Sequence, residues 1–324
     1  MAKIDRTVGW LAEKARSEHS VRPKTSGAPK PLRRAFPDAV SDRSGCLFIE
    51  RLFSLPPFEL SNDVTTRALL AELRLVYGVG EQYTQRLSDE GYASIVDLAA
   101  HPRWGDASSA LLASWGTPFD PLAVHRSLAR WLPSGDPLHL RSLGLLPIDG
   151  LRFFDLETLG LGGSPIFLAA VGRFTDDGFL VRQTLAPSLA EEVGLLERTM
   201  TDLEEAAALV TYNGKSFDWT ILRERSAYYG LPLPEAPIHI DLLHHARRAF
   251  GGTLHDCHLG TVEAHVLGIA RTNDLPSADV PVHYAEYLET GDAAPLIPVV
   301  NHSRQDLVSL VALLDRLLRT DSDD

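Results

Sequence analysis

The chain has 324 residues, 44% of them hydrophobic, and a net charge of −12. That length is enough for two compact domains with a sizeable core, and the acidic balance argues against a surface that grips nucleic acid everywhere. Two distant cysteines, Cys46 and Cys257, exclude a disulfide scaffold and fit a reducing compartment.

The first residues carry scattered charges instead of the apolar core of a secretory signal. No run approaches the ~20 apolar residues of a membrane span, so a soluble, cytoplasmic protein without a membrane partner is expected. Residues 1–45 hold ten Lys and Arg against five Asp and Glu. Their stretch SVRPKTSGAPKPLRRAFPD predicts a disordered basic segment, after a short helix over 8–15. Such a tail is either a solvated extension or an accessory contact to a polyanion.

From residue 46 the pattern changes. CLFIERLFSLPPFEL predicts a short extended segment broken by Pro56 and Pro57. DVTTRALLAELRLVYGVG has helical spacing and ends at Gly78. A turn at Gly78-Val79-Gly80 then leads into a second helix through Leu87 and a third around 95–100. Gly78 and Gly80 permit the sharp turn and leave amide N–H groups at a helix start, a setting that suits a phosphate oxygen. Residues 106–146 read as mainly helical, with a turn at 133–137. The expected domains are thus a basic segment over 1–45, a helical region over 46–146 and an α/β domain over 147–324.

The α/β pattern begins with a strand over 151–156. PIFLAAVGRF and GFLVRQTL follow as strands joined across Thr175-Asp176-Asp177-Gly178, a hairpin signal. An acidic helical stretch covers 188–208, and ALVTYN forms a fourth strand ending at Asn213. A helix follows GKSFDWTILRERSAYYG. IHIDLLHHARRAF gives a strand and a helix, and 301–318 forms a closing helix. The predicted fold class is α/β: a mixed sheet flanked by helices, preceded by a small mainly helical domain.

Asp155 and Glu157 sit two apart at the end of the first strand, so their side chains share a face. Repulsion and desolvation disfavour such a pair unless a cation keeps both ionised. Asp218 opens the helix after the fourth strand, and Asp306 lies in the last helix. Carboxylate oxygens suit hard divalent ions such as Mg²⁺ and Mn²⁺. Two such ions about 3.5–4 Å apart activate a water and hold a phosphate. His302, four residues before Asp306, lies one helical turn away on the same face and is placed to accept a proton.

The ordered motifs FFDLET, YNGKSFD and HSRQD resemble those of the DEDD superfamily of 3′–5′ exonucleases. TYNGKSFDWTILRER, HIDLLHHARRAF, CHLGTVEAHVLG and YLETGDAAPL are similar to the bacterial YprB-like ribonuclease H-like proteins over about residues 148–318. The Gly78-Val79-Gly80 turn with Leu87 resembles a helix-hairpin-helix motif, although Thr84 stands where that motif has a small apolar residue. The resemblance implies a ribonuclease H-like fold and a 3′–5′ exonuclease, on DNA in preference to RNA, using two Mg²⁺ or Mn²⁺ ions; the alternatives are a structure-selective endonuclease or ribonuclease on the same site, or a non-catalytic nucleic-acid-binding adaptor on this fold. It implies Asp155 as the bridge between the ions, Glu157 and Asp306 completing one site, and Asp218 orienting the second. Asn213, Lys215 and the backbone at Thr158 and Leu159 would lie near the terminal nucleotide, with Gly78 and Gly80 contacting the substrate. One departure stands out. The histidine branch of the superfamily places its histidine five residues before the last aspartate, and the tyrosine branch places tyrosine four before; here His302 has the four-residue spacing and Asn301 the five.

Other candidates read as structural. Asp241 is expected to cap the helix that follows it. His255, Cys257 and His258 lack the second well-spaced pair of a zinc site. GLGLGGSP leads into a strand, unlike a dinucleotide loop.

Overall fold

Runs with apolar residues on both faces assemble into one sheet. The computed structural model describes residues 30–58, 60–232, 238–271 and 275–320. Its strands are β1 (Val40–Ser41), β2 (Leu47–Phe53), β3 (Leu151–Thr158), β4 (Ile166–Thr175), β5 (Gly178–Leu185), β6 (Ala208–Thr211) and β7 (Ile238–Asp241). They pair in the order β1-β2-β5-β4-β3-β6-β7. β3 is antiparallel to β4 and parallel to β6, and β7 continues the parallel half. β3, β6 and β7 therefore end at one edge, where open α/β sheets hold their ligands. The mixed, helix-flanked sheet predicted from the sequence is present.

The chain divides into two units. The sheet unit comprises residues up to Pro57, Asp149–Asp241 and His258–Leu313. On one face of its sheet, Leu47, Ile49, Phe167 and Leu185 pack with Tyr284, Leu296, Val299 and Val300. Phe167 stacks on Tyr284 with ring centroids 4.1 Å apart. The other face buries Phe154, Leu156, Ala169 and Val171 against Leu195, Leu196, Trp219, Ile221 and Leu222. Helices Val280–Thr290 and Leu296–Thr320 thus cover one face, and Glu192–Leu203 and Asp218–Tyr229 the other.

A buried ion pair joins the latter two helices. Glu192 is fully buried, and its carboxylate accepts from Arg225 Nε at 2.7 Å and Nη2 at 2.5 Å. It also accepts from Tyr229 OH at 2.8 Å and the Ile166 amide at 2.8 Å. Both carboxylate oxygens are satisfied, which such a burial requires.

Two expectations change here. Residues 30–45 carry structure in place of the expected disorder: Lys30–Ala35 is helical and buries Leu32 in the first core, because Leu32 and Phe36 give that basic stretch an apolar side. Residues 1–29, with the helix expected over 8–15, lie outside the described residues. Residues 47–53 do not open the helical region. They pair along their length with β5, from Leu47 opposite Leu185 to Phe53 opposite Phe179.

The second unit comprises Phe58–Ile148, Leu242–Cys257 and Leu314–Asp324. Helices Asn62–Ala71, Glu81–Asp89, Ile95–Leu98, Gly105–Trp115 and Pro121–Trp131 surround Leu69, Leu75, Leu87, Leu98, Trp115 and Leu128. Ser94 and Asp120 cap their helices by accepting from Asp97 and Leu122 amides, as N-cap chemistry favours. Gly78 has φ of 85°, a left-handed conformation open to glycine, and Gly80 is the N-cap of the Glu81 helix.

Candidate active site

β3 presents Asp155 and Glu157 at the carboxyl edge of the parallel strands. A register irregularity between Glu157 and Thr158 pairs Thr158 with Ile166, skipping Phe167. Such bulges re-aim side chains beside active sites. Asp218, at the start of its helix, accepts the Leu156 amide on Oδ1 at 2.9 Å. Its carboxylate is thereby tied to the residue between Asp155 and Glu157. Asp306 and His302 reach the cluster from the Leu296–Thr320 helix.

The four carboxylates bear on one another. Burial, then the charges of Glu157, Asp306 and Asp218, push Asp155 well above the ordinary carboxylate range. Glu157 is raised well above it by burial and then by Asp306 and Asp218. Burial raises Asp218 to about 7, against the lowering effect of the Leu156 amide. Burial also raises Asp306, while His302 and Arg271 lower it. Asp155 Oδ2 is shut from solvent without a well-formed hydrogen bond among the described residues, although the Ser303 side chain lies near enough to lower the carboxyl somewhat. A buried anionic oxygen in that position is costly, and a hard cation is the group that would satisfy it.

The pH dependence follows in sign. A carboxyl whose folded pKa lies above its unfolded value near 4 contributes stability below about pH 4, and that stability is lost as pH rises through the folded pKa. In EDTA, the unfolding midpoint is expected to fall as pH rises from about 5 to 8, with Asp218 titrating near 7. Substituting Asp218 by Asn should flatten that fall; a midpoint independent of pH across this window contradicts the electrostatics described.

Arg271 and Glu263 complete the cluster and were not evident in the sequence. Glu263 is buried and holds Arg271 through Oε2 to Nε at 2.6 Å and Oε1 to Nη2 at 2.5 Å. Nη2 also donates to Asp306 Oδ1, and Nη1 lies 3.1 Å from His302 Nδ1. Glu263 opens a π-helical turn, Glu263–Leu267, a form common at functional sites. Glu263 and Arg271 stand on either side of the helix stop at Gly268, so no single periodic element links them, which left the pair unmarked. His302 Nε2 is 3.4 Å from Ser277 Oγ and 3.7 Å from Asp306 Oδ2.

Among the described residues, no three His, Cys, Asp or Glu side chains converge closely enough to hold a metal as they stand. Asp306 is engaged by Arg271 and Asp218 by the Leu156 amide. The donor set nevertheless fits a hard divalent ion: all-oxygen carboxylates, each raised in pKa by burial, with one buried oxygen lacking a well-formed hydrogen bond.

The expected substrate residues lie differently. Asn213 is exposed with φ of 62°, and Lys215 is exposed beside it. Asp241 braces this loop, accepting the Asn213 amide at 2.7 Å and the Lys215 amide at 3.2 Å. Asp241 stands immediately before the Leu242–Phe250 helix, and its carboxylate also reaches across the parallel edge to the loop after β6. Gly214 lets that loop close on Thr211, whose Oγ1 and Cβ would lie 2.5 Å from an added Cβ. Leu159 is buried and its amide donates to Pro165 O at 3.1 Å, so that amide is already engaged. Thr158 Oγ1 donates to Gly160 O at 2.6 Å. Gly78 and Gly80 belong to the second unit.

A family model described as the RNase H superfamily matches residues 152–318. The uncharacterized protein YprB of Bacillus subtilis (strain 168) is 38% identical over 170 residues, covering 51% of this chain and 41% of that protein. The chain thus spans about two fifths of that relative's length. The family B DNA polymerase from the hyperthermophilic archaeon Pyrobaculum calidifontis is similar in structure with a TM-score of 0.41 and 19% identity, over 52% of this chain and 24% of that one. No helix among the described residues is long and apolar enough to cross a membrane.

Proposed function

This chain belongs to the RNase H superfamily, and on that premise we propose that the cluster at the end of β3 is a divalent-metal-dependent phosphodiesterase centre of the DEDD type, acting as a 3′–5′ exonuclease on DNA. The observation that carries this reading is the gathering of Asp155, Glu157, Asp218 and Asp306, from three separate elements, into one buried group in which Glu157, Asp306 and Asp218 raise Asp155, and Asp306 and Asp218 raise Glu157. A purely structural role gives no reason to hold them together.

Asp155, Glu157 and Asp306 would hold one Mg²⁺ or Mn²⁺ ion, and Asp155 with Asp218 would hold a second. When bound, such ions offset the carboxylate charge, polarise a phosphoryl oxygen and lower the pKa of a water. β3 supplies the rigidity, since it is hydrogen-bonded on both sides. Asp218 is held by the Leu156 amide, so its orientation is set by the same strand. His302 is the candidate proton acceptor. Asn213 and Lys215, on the loop braced by Asp241, are the candidate contacts to a terminal nucleotide, Lys215 as a cation toward phosphate. The Gly78-Val79-Gly80 turn is a separate candidate, offering helix-start amides to a phosphate backbone in the manner of a helix-hairpin-helix.

The test uses end-labelled linear DNA and RNA and closed circular DNA, each with Mg²⁺, Mn²⁺ or EDTA. Linear DNA is expected to shorten from its 3′ end in the presence of either ion and to survive in EDTA, while closed circles stay intact. Cleavage of closed circles assigns an endonuclease to the same site, and preferential loss of RNA assigns a ribonuclease. Undiminished cleavage in EDTA overturns the metal-dependent reading.

A further inference from the structure

The network of Arg271 lies against the carboxylate cluster and pairs with one of its members. Among the described residues, its guanidinium engages buried Glu263, Asp306 and His302. Glu263 engages Nε and Nη2 together, in the bidentate geometry that fixes an arginine most firmly. Its carboxylate is almost fully buried, whereas the Asp306 side chain is 17% exposed. Of the two anions, Asp306 is the one able to leave. Nη1 also lies 3.1 Å from His302 Nδ1, and the other ring nitrogen, Nε2, faces Ser277 Oγ at 3.4 Å and Asp306 Oδ2 at 3.7 Å.

Resting on the metal-centre reading above, we infer that Arg271 is a positioning residue that competes with the divalent ion for Asp306 and so sets the ion concentration at which the site fills. Three points support the role. A cation taking Asp306 through Oδ1 must replace the contact with Nη2. Arg271 stays neutralised by Glu263 when Asp306 turns away, so the exchange leaves no uncompensated buried charge. The fixed guanidinium also repels any second cation drawn to Glu157, whose carboxyl already feels its charge.

The competition is measurable without turnover. Mn²⁺ binding is followed by the loss of its free-ion electron paramagnetic resonance signal, in the full chain at pH 7.5. Arg271→Gln alone leaves Glu263 buried without its counter-ion and risks the fold, so the informative variant is Glu263→Gln with Arg271→Gln, which removes both charges. That double variant is expected to bind Mn²⁺ at least about tenfold more tightly than the unmodified protein, a difference within the range of one charge pair near a protein surface. Arg271→Lys, which keeps the cation, is expected to stay within about threefold of the unmodified affinity. A merely structural Arg271 predicts equal or weaker binding in the double variant. If the unmodified protein binds Mn²⁺ and the double variant binds no more tightly, the role of Arg271 is overturned while the metal centre stands. If neither binds Mn²⁺, the metal centre itself falls and this inference falls with it.

Discussion

Asp155→Asn is expected to lower Mg²⁺- or Mn²⁺-dependent cleavage by about a thousandfold or more, the scale of several kcal/mol of lost charge stabilisation in the transition state. The same change should make the protein more stable in EDTA at about pH 8. Asp155 is raised in pKa by burial and by Glu157, Asp306 and Asp218, and its Oδ2 has no well-formed hydrogen bond among the described residues. Replacing it by a neutral amide of the same shape removes one member of a repelling group. Loss of activity joined to a gain in stability marks a residue kept for function at a cost to the fold. A variant that loses both together would point to a structural aspartate. Thermal unfolding in EDTA and cleavage with Mn²⁺, on the same preparation, separate the two.

The second large effect lies away from the carboxylates. Arg225→Met is expected to cost about 3–5 kcal/mol, the usual result of stripping one partner from a buried ion pair. On a chain of this size that corresponds to a fall of roughly 5 °C in the unfolding midpoint. Glu192 is fully buried and would keep only the Ile166 amide and Tyr229 OH as partners. Arg225 Nη1 also donates to Gly163 O at 3.1 Å, and Glu224 accepts the Gly163 amide at 2.8 Å. The pair thus ties the loop after β3 to the Asp218 helix. Adding Glu192→Gln to Arg225→Met removes the stranded charge while keeping an acceptor for Ile166, and should recover most of the loss. Chemical denaturation of the two variants checks this; a loss below about 1 kcal/mol for Arg225→Met would show that the pair adds little.

The strands β3, β4 and β5 were legible because each carries its own local signal. Leu151, Phe153 and Phe154 mark a buried strand, and Asp176-Asp177-Gly178 marks the hairpin between β4 and β5. The shared face of Asp155 and Glu157 followed from strand geometry alone. The membership of Leu47–Phe53 in the sheet was not legible, since its partner β5 is over 130 residues away in sequence and nothing local names that partner. Leu32 was hidden in a stretch whose basic and proline content resembles a solvated tail. Asp241 sits where an N-cap belongs, but its additional hold on the amides of the loop after β6 was not legible, since it depends on two parallel strands being neighbours. Glu263 and Arg271 escaped for the same kind of reason. Their ion pair bridges a π-helical turn, and its meaning comes from Asp306, 35 residues further on.

The most direct measurement is the binding of Mn²⁺ to the unmodified protein, Asp155→Asn and Asp218→Asn by titration calorimetry at about pH 7.5. Saturable binding to the unmodified protein, accompanied by proton release from the raised carboxyls and lost or weakened at least about tenfold in both variants, is the result predicted. Absence of binding to the unmodified protein, or equal binding by all three, would contradict a metal centre built on the end of β3.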